Sequence, residues 1–247
     1  HITSLIPDGT EPHDFQPTTK TMQALSKADI LIYNSTGMER WVEQATQAAA
    51  NPKLVIVEAS KDTDRISLTE ADEIRAHGQY DPHTWLSLSC AQTEVKNIAE
   101  ALAAADKTNA DFYRKNAAEY NQKLQALLAA YQKKFSKLEQ KDFVTGHAAF
   151  AYLCRDFGLQ QQSIEDVFAS GEPSAQNLAK LTAYCKEHNV KTIFVEEAVS
   201  PKTSETLARE VGATTQEIYT IESSNGEKTY LTRMEENLDA IYKSLKK

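Results

Sequence analysis

The sequence predicts an α/β protein of two lobes joined by one long helix. Three observations carry this. Short β-rich runs alternate with helix-period segments in both halves, one helical pattern is far longer than its neighbours, and 247 residues suffice for two cores of ordinary size.

Taken in order, "HITSLIP" is expected as a short strand closed by Pro7, Asp8 and Gly9. "TTKTMQALSKA" has helical spacing, "DILIYNS" is a continuous β-rich run of the buried parallel kind, "MERWVEQATQAAA" is helical, and "KLVIVEAS" is another strand. Residues 61–82 are polar without a sustained period and are expected as a surface excursion. Helical patterning resumes near Ser89 and runs to about Ala105. After a start near Asp106 or Asn109, Phe112, Ala117, Tyr120, Leu124, Leu127, Leu128, Tyr131 and Phe135 recur mostly at threes and fours. Such a helix would be ~40 Å long, about the span of a domain, and fits a spine better than a crossover. The second half repeats the alternation: strand "DFVTG", helix "AAFAYLCRDF", strand "QSIEDVF", helix "SAQNLAKLTAYCKEHN" entered through "SGEPS", strand "KTIFVEE", helix "SPKTSETLAREVG", strand "TQEIYTI", and a closing helix from about Lys228 to Leu245. The expected organisation is an N-terminal lobe over 1–108, a connecting helix over 109–139 and a C-terminal lobe over 140–247.

Composition narrows the function classes. A net charge of −8 argues against nucleic acid, whose binding depends on Lys and Arg displacing counterions, and favours a small cation. No apolar run is long enough to span a bilayer. Three cysteines, Cys90, Cys154 and Cys185, match neither a disulfide scaffold nor a Cys-rich zinc site. They are expected as buried small hydrophobes, with a Cys154–Cys185 bridge open only if their two helices pack side by side.

Of six histidines, three share a context. His13 follows the first expected strand, His83 in "YDPHTW" precedes a helix, and His147 joins "DFVTG" to its helix. Loops beyond the carboxyl ends of parallel strands form the ligand crevice of open α/β sheets. Three imidazoles there suit a metal such as Zn²⁺ and leave a tetrahedral ion needing one more donor. A carboxylate in that place would make a carrier and a water would make a hydrolase. Glu196, Glu197, Glu222, Asp14 and Asp81 all remain candidates on spacing alone. Pro12 and Pro82 stiffen the loops before His13 and His83, and Asp14 or Asp81 could accept the second N–H of a ligating ring. His77 and His188 are expected in solvent; Trp85, Phe150 and Tyr152 are expected in the core.

"LIPDGTEPHDFQPT", "YDPHTWLS", "FVTGHAAFAYLCRDFGL" and "VKTIFVEEAVSPKTSETLAREVGA", in this order along the whole chain, resemble the zinc-specific solute-binding proteins of bacterial ABC importers. That resemblance implies two Rossmann-like lobes, a rigid helix between them, a metal in the interlobe cleft, and delivery to an ABC permease in the membrane. By motif match it implies His13, His83 and His147 as nitrogen ligands and, in "IYTIES", Glu222 as the fourth. Manganese receptors of the family carry glutamate where His147 stands, so the His₃Glu set points to Zn²⁺ as cargo. The expected protein is a monomeric, extracytoplasmic zinc receptor and not an enzyme. The alternatives are a zinc-dependent hydrolase with Glu222 as general base, a receptor for manganese or another divalent metal, or an adhesin using the same fold. Two departures stand out. The segment before His83 holds only His77 where many zinc receptors have a histidine-rich loop, and the chain starts at what resembles the family's second strand. An unusual sheet edge or an exposed apolar face is therefore expected in the N-terminal lobe.

Overall fold

The computed structural model describes every residue except 36, 170–173, 198–199, 223–227 and 247, with the backbone alone at 14. It divides into two compact units, His1–Ala126 and Leu127–Lys247. The division falls inside the longest helix.

In the first unit, α1 (Thr19–Leu25), β1 (Ile30–Tyr33), α2 (Val42–Ala49) and β2 (Val55–Glu58) follow one another, and β1 and β2 pair in parallel. Thr18 starts α1 with a reciprocal capping box to Thr21. Leu25, Leu31, Val42 and Ala45 form the buried cluster between these elements, with Leu5, Met22 and Trp41 packed against it. Ile32 and Val55, on the sheet face away from Leu31, are 40% and 43% exposed and form the expected exposed apolar face, and Ile56, the register partner of Leu31, is 49% exposed as well. The strand expected at "HITSLIP" does not form: no ladder partner lies beside it, and alternation without a partner leaves its backbone groups to solvent. The excursion over 61–82 is also more ordered than its composition suggests. It contains α3 (Ala71–His77) and an antiparallel bridge between Ser67 and Tyr80. A 3-10 turn at Thr84–Leu86 leads into α4 (Leu88–Ala105), whose first turn is capped by the Ser87 hydroxyl.

The long helix α5 runs Ala110–Phe135. Leu124, Leu128, Tyr131 and Phe135 on it are buried at helical spacing.

The second unit is a four-stranded parallel sheet of β3 (Asp142–Thr145), β4 (Gln160–Ser163), β5 (Thr192–Glu196) and β6 (Thr214–Ile218), in the order β4-β3-β5-β6. Helices α6 (Ala151–Phe157), α7 (Ala175–Glu187), α8 (Lys202–Val211) and α9 (Tyr230–Leu245) connect and close it. Central β3 and β5 supply Val144 and Ile193 to a core with Ile164, Leu181, Val190 and Leu207. The edge strands are polar, and this explains one misplacement. The strand expected over "QSIEDVF" forms two residues earlier, as Gln160–Ser163, where polarity hid it. Polar side chains on an edge discourage pairing with other chains. Ser174 caps α7 as expected from "SGEPS"; Pro173 of that motif lies outside the described residues. All three cysteines are free and buried: Cys185 sits in the core cluster of the second unit and Cys154 outside it, so no bridge forms. No helix of the described residues is long and apolar enough to cross a membrane.

Candidate metal site

In the first unit, His13 lies in a 3-10 turn, Pro12–Asp14, whose fixed proline φ starts the turn and whose His13 N–H donates to Glu11 Oε1 at 3.3 Å. His83 is fully buried. Its backbone N–H donates to Asp81 Oδ1 at 2.9 Å, and its Nδ1 stands 2.8 Å from the same oxygen. A carboxylate only accepts, so Nδ1 carries the proton and Nε2 presents its lone pair. That lone pair faces His13 Nε2 at 3.3 Å, with the rings inclined at 69°. Two imidazole nitrogens so placed either share one N–H proton or turn both lone pairs to a single cation. Asp81 thus takes the orienting role that its position beside His83 suggests; the side chain of Asp14 lies outside the described residues. Trp85 is half-buried rather than core, its ring tilted against His83 at 5.3 Å between centroids.

The turn that carries His83 is tied down on both sides. Asn34, just past β1, donates from Nδ2 to Pro82 O at 2.7 Å, while Thr84 Oγ1 lies 3.1 Å from Asn34 Oδ1 and 2.6 Å from Glu94 Oε1. Burial pushes the Glu94 carboxyl up to about 7; the Thr84 hydroxyl pulls against this and the charge of Glu39 adds to it. Glu39 is itself raised by burial, against the opposing backbone N–H bonds from Asn34 and Ser35.

In the second unit, the strand order reverses between β3 and β5, where loops diverge and leave a crevice at the carboxyl ends. His147 emerges there, two residues past β3, and is buried. Its backbone N–H donates to Glu196 Oε1 at 3.0 Å, and its carbonyl accepts from Thr145 Oγ1 at 2.7 Å and Gln161 Nε2 at 2.8 Å. The polar edge strand therefore has a job: Gln161 holds the His147 loop. His147 Nε2 lies 3.7 Å from Glu222 Oε1. Glu222 follows β6 on a loop gripped at each residue before it. Asn237 pairs with both the N–H and the C=O of Tyr219, and Glu197 accepts from Thr220 N at 2.8 Å and Ile221 N at 3.1 Å. Ile221 has φ +58°, a costly value for a β-branched residue, and the two N–H bonds that Glu197 accepts from Thr220 and Ile221 hold it. Burial raises the Glu197 carboxyl, those N–H donors oppose it, and the charge of Glu222 raises it further.

Glu196 and Glu197 are thus supports of the His147 and Glu222 loops. Asn237 and Gln161 were missed in the sequence because amides on a helix and on an edge strand carry no motif. His188 is exposed with its ring stacked on Tyr184, as expected of a solvated residue, and Phe150 and Tyr152 are core. His77 is part-buried.

An α/β chain that sets two imidazole nitrogens 3.3 Å apart in its first unit, and an imidazole 3.7 Å from a carboxylate oxygen in its second, carries the donor types of a protein that binds a metal cation. Residues 1–244 match the family model described as zinc-uptake complex component A, periplasmic, and the chain belongs to that family. It is 42% identical over 254 residues to the high-affinity zinc uptake system protein ZnuA of Bacillus subtilis, covering 98% of this chain and 79% of that protein. Among solved structures, the laminin-binding adhesin Lmb of Streptococcus agalactiae (a mutant structure) superposes with a TM-score of 0.89 at 34% identity, over 98% of this chain and 90% of that one. A Zn(II)-bound mutant variant of AdcAII of Streptococcus pneumoniae gives 0.87 at 33% identity, over 96% and 87%.

Proposed function

We propose that the protein is an extracytoplasmic zinc receptor that holds one Zn²⁺ through His13, His83, His147 and Glu222 and hands it to an ABC permease in the membrane. The observation that carries this reading is the 3.3 Å separation of the His13 and His83 Nε2 atoms. Two nitrogens each about 2.05 Å from a tetrahedral ion stand about 3.3 Å apart, so this pair has the edge length of a zinc coordination shell. Each of the four residues offers one ligand atom. Three imidazoles and one carboxylate form a nitrogen-rich set that suits zinc better than manganese.

Four protein donors fill a tetrahedral ion, which leaves no position for a reactive water; the metal is carried and the protein acts as a monomeric binder rather than as a hydrolase. Buried His83 and His147 lose contact with solvent and bind as neutral rings. Loading the purified chain with Zn²⁺, desalting and measuring bound metal is expected to give one zinc per chain. His83→Ala and His147→Ala are each expected to lower retention on the order of 100-fold or more. A desalted protein with no zinc, or one that hydrolyses ester or phosphate substrates in a zinc-dependent manner, would reject the reading.

A further inference from the structure

We propose that Glu94 is held as a neutral carboxylic acid and acts, through Thr84 and Asn34, as the positioning residue of the turn that carries His83. The inference rests on the reading of His83 as a metal ligand. Pro82 O can only accept, so the 2.7 Å contact from Asn34 fixes Nδ2 toward Pro82 and Oδ1 toward Thr84. Asn34 Oδ1 can only accept as well. The Thr84 hydroxyl has one proton, yet it lies within hydrogen-bond distance of two oxygens, Asn34 Oδ1 at 3.1 Å and Glu94 Oε1 at 2.6 Å. Both contacts are satisfied only when Glu94 carries a proton and donates it to Thr84 Oγ1, which then donates to Asn34. The 2.6 Å separation is the length of a strong O–H···O bond.

The surroundings favour the neutral acid. Glu94 is buried on α4, and the charge acting on it is the carboxylate of Glu39. Of the other elements packed against α4, the 3-10 turn follows the Asp81–His83 pair, the end of β2 carries Glu58, which is ion-paired with Arg65, and the turn after α4 carries Asp106, bonded to Asn109 and Tyr113. The relay Glu94 to Thr84 to Asn34 to Pro82 therefore pins the backbone on both sides of His83. When Glu94 ionises, Thr84 turns its proton to the carboxylate and Asn34 Oδ1 loses its donor.

Three measurements on the full chain test this, with Zn²⁺ alone as the ligand. In the metal-free protein, carboxyl ¹³C titration is expected to show one glutamate resonance, absent in Glu94→Gln, with its midpoint near neutral pH; a Glu94 midpoint in the ordinary carboxylate range would overturn the proposal, whatever zinc does. Glu94→Gln keeps a donor to Thr84 and is expected to bind zinc within about twofold of the parent at pH 6, whereas Glu94→Leu is expected to bind ~10–100-fold more weakly. Equal affinity for all three would also overturn it. Finally, the gain in zinc affinity between pH 6 and pH 8 is expected to be larger in Glu94→Gln than in the parent, because only the parent loses the relay proton; parallel profiles would count against the proposal. His83→Ala separates the two claims: if it retains zinc, the ligand assignment falls, while the titration still judges the state of Glu94.

Discussion

The carboxylate of Glu196 fills the space where the first side-chain carbon of any larger residue at position 146 would stand, so Gly146 is the one residue type that lets β5 brace the loop after β3. The brace is the bond from His147 N–H to Glu196 Oε1. Gly146→Ala is expected to push that carboxylate aside and leave a buried N–H without its acceptor. The cost is about 1–3 kcal/mol of folding stability, read by urea unfolding, together with weaker zinc retention. Unchanged stability would mean that Glu196 swings away freely and that the brace is dispensable.

Asp81 makes a comparable prediction in the first unit. It accepts from both the backbone and Nδ1 of His83 and so sets which ring nitrogen is bare. Asp81→Ala is expected to lower zinc affinity by ~10–100-fold in a competition titration with a chelating dye. Asp81→Asn, which retains an acceptor oxygen, is expected to fall between the two.

Glu197 holds the strained backbone of Ile221 one residue before Glu222. In Glu197→Ala the loop is expected to relax to a φ that an isoleucine prefers, carrying Glu222 away from His147. Zinc binding should then resemble that of Glu222→Ala to within about threefold, because both changes remove the same oxygen donor from the proposed shell. A Glu197→Ala protein that binds zinc like the parent would show that the loop keeps its shape unaided.

Two pH dependences of opposite sign are expected. Ligating imidazoles must be neutral, so zinc affinity should fall as pH drops through the ordinary imidazole range near 6.5. An affinity flat from neutral to mildly acidic pH would contradict imidazole ligation. Folding stability should carry a component that runs the other way. With its carboxyl raised from 4.5 to about 7, Glu94 costs nothing below pH 4.5, where both the folded and the unfolded chains are protonated. The penalty grows as pH rises through that window and is complete above about 7, where the buried group must ionise. Glu94→Gln removes it, so the stability difference between variant and parent should move in the variant's favour from pH 4.5 to pH 8. A constant difference would place the Glu94 carboxyl at its unfolded value.

How much of this was legible in the sequence differs by element. Buried central strands such as "KTIFVEE" announce themselves by continuous apolar runs, and α5 by a helical period sustained over its length. The edge strand at Gln160–Ser163 and the short helix at Ala71–His77 carry no such signal, because neither hides an apolar face that a period could reveal. "HITSLIP" shows the converse, a strand-like pattern with no ladder to join.

By itself, the sequence determined the alternation of strand and helix and delivered three histidines to loops, since hydrophobic period and turn chemistry act over a few residues. Which ring nitrogen of His83 is bare, which carboxylates brace and which faces His147, and that one hydroxyl proton must serve two oxygens at Thr84 were decided only by the tertiary structure. Apart from the Asp81–His83 pair, only two residues apart, those are contacts between residues distant in the chain. Their energies depend on burial and on distances of a few tenths of an ångström, which no local pattern encodes.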